Sequence, residues 1–202
     1  MKSLAIILLA VAAAIAYGIV HDQITARICV EYFSIGHPRL IDSDSPTVLA
    51  LFWGAVATWW VGLPLGLGLA VAARAGRRPK LAASELFIPV VKFLGCMFAV
   101  ATIFGAVGFA TSTAGIFNLV EPLASRVPAD KHTAFLLDGW AHSSSYLAGI
   151  VGGLVLCVFT WRQRRTGARA GEPVAPAKAV GPPRGVLGVR GPAWLCSFFC
   201  VR

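Results

Sequence analysis

Apolar residues gather in four long runs: Leu4 to Val20, Thr47 to Ala73, Leu86 to about Ala110, and about Ala141 to Trp161. Each approaches or exceeds the ~20 residues a helix needs to cross a bilayer. They predict an all-α integral membrane four-helix bundle over residues 1–162. The first run is the shortest, so its helix should continue into the polar stretch "VHDQITARICVEYFSIGHP" that begins at Val20. From residue 163 the chain is Arg, Gly, Pro and Ala without periodicity. That composition cannot bury a core and predicts a disordered, basic, cytoplasmic tail over 163–202, whose closing "AWLCSFFCVR" is too short to span but suited to an interface.

Composition agrees with a membrane location. The 202 residues are 57% hydrophobic and 13% charged, with a mean hydropathy of +0.74, too little polar surface to cover a soluble globule of this size. The net charge of +9 does not point to nucleic acid, because the basic residues sit between and after the apolar runs instead of on a soluble face. Read as topology, Arg74, Arg77, Arg78 and Lys80 after the second run, and Arg162, Arg164 and Arg165 after the fourth, mark cytoplasmic ends and residues that meet the membrane surface. Residues 21–46 and 111–140 carry an acidic excess and belong outside. Both termini then lie in the cytoplasm.

Within the runs, Lys92 is close enough to a cytoplasmic end to snorkel to the interface. Trp53, Trp140 and Trp161 fall near predicted interfaces, whereas Trp59 and Trp60 fall mid-span and are expected to pack inside. Pro64 should kink the second span. Small residues at helical spacing, Gly62 and Gly66, Gly105 and Gly108, Gly149 and Gly153, suit close helix packing within one bundle. The opening "MKSLAIILLAVAAAIA" also fits a cleaved signal peptide, and an uncleaved anchor is the preferred reading.

The candidate chemistry lies on the external side, where all four histidines fall: His21, His37, His132 and His142. His21 ends the first span and His142 begins the fourth, so antiparallel helices place them at similar depth. Asp138 precedes His142 by four residues, the spacing at which helical side chains share a face. His21, His37, Asp138 and His142 are therefore candidate metal ligands, with Asp22, Cys29 and Glu31 as further donors or proton carriers. Two histidines from different helices also suit a haem. The plainer reading makes Asp138 an N-cap for the fourth helix, and pairs Arg27 with Glu31 if the first helix continues. "RICVEYF" alternates like a strand as well, and "SIGHP" reads as a turn. "HSSSY" has no G-x-S-x-G elbow, no phosphate-binding glycine motif occurs, and Cys196 and Cys200 lack a second pair for metal.

"YGIVHDQITARICVEYF", "IGHP", "ATWWVGLPLGLGLA", "AARAGRRPKL" and "WAHSSSYLAGIVGGLVLCVF" resemble an uncharacterised group of small bacterial four-span membrane proteins over roughly residues 1–165. That resemblance implies the bacterial cytoplasmic membrane and brings no activity or cofactor with it. The leading expectation is a non-enzymatic membrane component whose partners are the lipid bilayer and another membrane protein or a second copy of the chain. A metal- or haem-binding protein is the alternative, and a small transporter using Lys92 and Pro64 the third.

Overall fold

The computed structural model describes the backbone of residues 1–170 and the side chains of residues 1–164; residues 171–202, most of the predicted tail and Cys196 and Cys200 with it, lie outside the described residues. Helix α1 covers Lys2–Ile28 and α2 Val30–Ser34; α3 (Pro46–Val56) and α4 (Trp59–Arg74) form the second span; α5 covers Ala83–Thr113, α6 Leu123–Arg126, and α7 His132–Ala170, entered through a 3-10 turn at Ala129–Lys131. No strand occurs among the described residues. Four helical segments are long and apolar enough to cross a membrane, so this is an all-α, multi-pass membrane protein.

The helices pack as a four-membered ring. α1 lies along α3 and α4, α4 meets α7, α7 runs along α5, and α5 returns to α1. α1 and α7 face each other across the diagonal and touch only sparingly. Glycine sets the closest approaches. A Cβ on Gly54 would lie 2.6 Å from the Ile19 backbone, and one on Gly62 would lie 2.8 Å from the Ala14 Cβ, so α1 packs backbone to backbone against the second span. Gly105 and Gly108 do the same for Ala141 and Trp140. The small-residue motifs thus close the bundle within one chain.

Several boundaries differ from those the hydropathy pattern predicts. α1 runs through the polar stretch to Ile28, where Cys29 adopts extended backbone angles and α2 restarts at Val30. The strand reading of "RICVEYF" is thereby corrected. Arg27 does not pair with Glu31: it donates to the Gln23 side chain at 2.6 Å and to Thr47 Oγ1 at 2.9 Å. α7 starts before Asp138, which is inside the helix and not its N-cap.

The second span is interrupted at Ala57–Thr58, before Pro64. Thr58 Oγ1 donates back to the Gly54 carbonyl at 2.5 Å, and the Tyr146 hydroxyl donates to the Ala57 carbonyl at 3.2 Å. Side chains thus satisfy carbonyls that the broken helix frees at membrane depth. The interruption also resets the helix phase. In an unbroken helix Trp60 would share the face of buried Trp53; instead Trp59 and Trp60 are 48% and 55% exposed and face outward. Lys92 is exposed as well.

The end opposite the histidines is held by Arg164. Its side chain is 2% exposed and donates to the carbonyls of Ala72 and Pro79 at 2.6 Å, Ala75 at 2.9 Å and Arg78 at 3.1 Å. The expectation of a membrane-surface contact is therefore corrected for Arg164, which instead closes the C-terminus of α4 and its following turn. Arg74 donates to the Leu81 carbonyl, and Arg78 stacks 4.3 Å from the Trp161 ring. Arg77, Lys80 and Arg162 are exposed; the Arg165 side chain lies outside the described residues.

Candidate metal centre

His21, Asp22 and His142 meet where α1 and α7 face each other. All three are buried, and one ligand atom from each lies within 4.8 Å of the others. Asp22 is the hub. Its Oδ1 stands 3.3 Å from His21 Nδ1 and 3.2 Å from His142 Nε2. The imidazole rings touch edge to face, with centroids 4.6 Å apart.

Local helix geometry orients each ring. His142 Nδ1 is 2.8 Å from the Asp138 carbonyl, one turn earlier in α7. A carbonyl oxygen only accepts, so Nδ1 carries a hydrogen, and in a neutral ring Nε2 holds the lone pair. That lone pair faces a carboxylate oxygen. The contact is favourable only with a proton or a cation between them. Tyr32 stacks on His142 with centroids 4.6 Å apart, and Tyr17 stacks on His21 at 5.7 Å. The Tyr17 and Ser145 hydroxyls are hydrogen-bonded to each other, tying α1 to α7 beside the cluster.

The other predicted ligands take different places. His37 donates through Nδ1 to the Tyr32 carbonyl at 2.9 Å and packs on Trp53, which is itself buried. Burial pushes the His37 imidazole below its ordinary value. His132 bonds the Val127 carbonyl at 3.0 Å. Asp138 contributes its backbone to the site; its side chain is fully buried, and neither carboxylate oxygen has a hydrogen-bond partner among the described residues. Cys29 is 1% exposed and its thiol donates to Glu31 Oε2 at 3.4 Å. Burial pushes that thiol up to about 12.

No family model, curated protein or solved structure matches the chain.

A haem between His21 and His142 is incompatible with this arrangement, because the two rings are already in contact and leave no gap for a macrocycle. A single ion is compatible. Ligands of a tetrahedral ion with bonds of ~2.1 Å lie ~3.4 Å apart, close to the two separations at Asp22 Oδ1. Sequence reasoning named both histidines but gave Asp22 a minor part, since nothing in its spacing shows that it points inward. Its place next to a histidine at the end of an apolar helix was the one available signal.

Proposed function

We propose that the protein is an integral membrane metal-binding protein, holding a divalent first-row transition ion between its first and last spans. The ligands are His21 Nδ1, Asp22 Oδ1 and His142 Nε2. The reading is carried by the 3.2 Å approach of His142 Nε2 to Asp22 Oδ1 while His142 Nδ1 is committed to the Asp138 carbonyl. That carbonyl plays the part of the outer partner that fixes the tautomer of metal-binding histidines. Two imidazoles and one carboxylate suit Zn²⁺ or Fe²⁺ better than a thiolate-seeking ion, and three protein ligands leave a position open.

This reading takes precedence over a partner subunit because it rests on a built site. Lys92, the best residue of the transporter reading, faces outward. The clustering of Arg74, Arg77, Arg78, Lys80 and Arg162 at one end supports cytoplasmic termini, with the metal site toward the outer face.

The test is metal per chain after equilibration with Zn²⁺ and removal of excess, measured by elemental analysis of protein purified in mild detergent. About one ion per chain is expected, lost in His21→Ala and His142→Ala and kept in His37→Ala. Wild-type protein that emerges without zinc, or equal loss in His37→Ala, overturns the assignment. In that case a proton bridges Asp22 and His142.

A further inference from the structure

The cluster forms one end of a larger feature. A cavity of about 130 Å³ continues from it down the inside of the bundle, bounded by all the spans. Its lining changes character along the way. Tyr17, His21, His142, Ser145 and Tyr146 border the first end; Leu65, Phe93 and Met97 border the middle; Leu69, Val90 and Leu156 border the far end. From His142 to Leu156 the rise along α7 is about 21 Å, more than half of the ~30 Å hydrocarbon thickness. The cavity is thus long, slender and graded from polar to aliphatic.

The two ends differ in the chemistry they offer. In the Tyr17–Ser145 pair one hydroxyl donates to the other, leaving the second proton available to an acceptor. Tyr146 is committed to the Ala57 carbonyl. The polar end is walled by aromatic rings, Tyr32, Phe33 and Trp53 among them, which suit a flat group. In the middle, glycine lets α7 come close to the cavity's other walls: a Cβ on Gly149 would lie 3.2 Å from Met97 Cε, and one on Gly153 2.7 Å from the Leu65 side chain.

An independent feature points to the same place. Ala57 and Thr58, where the second span is interrupted, line this cavity. Broken helices at membrane depth occur where they are buried or border a cavity, and in transporters they form the binding site.

We infer that the cavity binds a single-tailed, lipid-soluble amphiphile with a planar, carbonyl-bearing head, the isoprenoid quinone class. The head lies among the aromatic walls with a carbonyl oxygen accepting from the Tyr17–Ser145 pair. The tail follows Leu65, Phe93 and Met97 toward Leu156. The head lies beside His21 and His142, which line the same end of the cavity, and the assignment does not depend on an ion being bound.

Decylubiquinone is the probe, titrated into EDTA-treated protein in phosphatidylcholine nanodiscs and followed by tryptophan fluorescence, since Trp53 borders the cavity. Saturable quenching with one site per chain is expected. The midpoint should weaken about ten-fold in Val61→Phe and Leu94→Phe, which fill the tail channel, and several-fold in Tyr17→Phe, which removes the paired hydroxyl. Linear quenching without saturation, or an unchanged midpoint in the filled variants, overturns the proposal. If those variants do not fold, competition decides: 1-dodecanol that relieves the quenching fully at concentrations near the quinone's own midpoint would show that only the tail is read, and overturns it. Because the metal has been stripped, failure here leaves the zinc measurement untouched, and the reverse holds.

Discussion

Replacing Arg164 with methionine keeps an unbranched apolar stem and removes the guanidinium alone. Four carbonyls lose a donor: Ala72, Ala75, Arg78 and Pro79. The bond to Ala72 is fully buried, and an orphaned buried carbonyl costs about 1–3 kcal/mol. The other three bonds are part-buried, so water or headgroups replace them at roughly 0.5 kcal/mol each. Relief of the guanidinium's own desolvation offsets part of the sum, leaving a net loss of about 2 kcal/mol. For a chain of this size that lowers Tm by about 4–8 °C. Thermal unfolding followed by circular dichroism in mild detergent measures it, with exposed Arg162→Met as the control. An Arg164→Met protein that melts with the wild type, or a control that loses as much, would refute the account of Arg164 as the clamp on α4.

Three further outcomes follow from packing and burial. Gly18→Val should destabilise by about 3 kcal/mol or prevent folding, because its Cβ would collide with the Gly54 carbonyl and lie 2.5 Å from Thr58 Cγ2; Gly95→Ala, with no atom within 4 Å of the added carbon, should melt at or above wild type. The Cys29 thiol, buried and shifted up to about 12, should resist a water-soluble maleimide at pH 7.5 in the folded protein and react on unfolding; prompt labelling at Cys29, in a chain whose other four cysteines are serine, would contradict its burial. His37 has a lowered folded-state value, so the unfolded chain binds more protons below its ordinary value of about 6.5 and stability falls as pH drops through that point. The Tm difference between pH 7.5 and pH 5.0 should therefore shrink in His37→Gln.

Much of this architecture is legible in the chain because a bilayer imposes one strong rule. Spans must be helical and apolar for their full length, so hydropathy finds them, and glycine spacing reports which faces approach closely. The limits of legibility are equally physical. The second apolar run, Thr47 to Ala73, contains no charge and one proline, and the pattern placed its irregularity at Pro64. The interruption lies at Ala57–Thr58, where a threonine hydroxyl and a tyrosine from another helix satisfy the freed carbonyls; that depends on Tyr146, which is distant in sequence. Trp59 and Trp60 were misplaced for the same reason. Arg164 reads as one more basic residue in a basic run until α7 is seen to bring it over the end of α4.

The site was half legible. His21 and His142 lie at span ends on one side, and antiparallel packing brings them to one depth. Sequence cannot show that α1 and α7 are diagonal, so that these side chains meet above a cavity instead of within a helix seam. Nor does it separate Asp22, which bridges the histidines, from Asp138, whose main chain orients His142 while its carboxylate stays buried without a partner among the described residues. Asp22 adjoins one histidine and Asp138 precedes another by four residues, and only the three-dimensional arrangement assigns their roles.

Whether His21, Asp22 and His142 share one ion is decided by zinc-edge X-ray absorption of the zinc-loaded protein. Nitrogen and oxygen neighbours at ~2.0–2.1 Å with the outer-shell scattering of two imidazoles are expected, and no zinc edge above background in His142→Ala, which loses the ion. A sulfur shell at ~2.3 Å, or oxygen neighbours without imidazole scattering, would contradict the shared site.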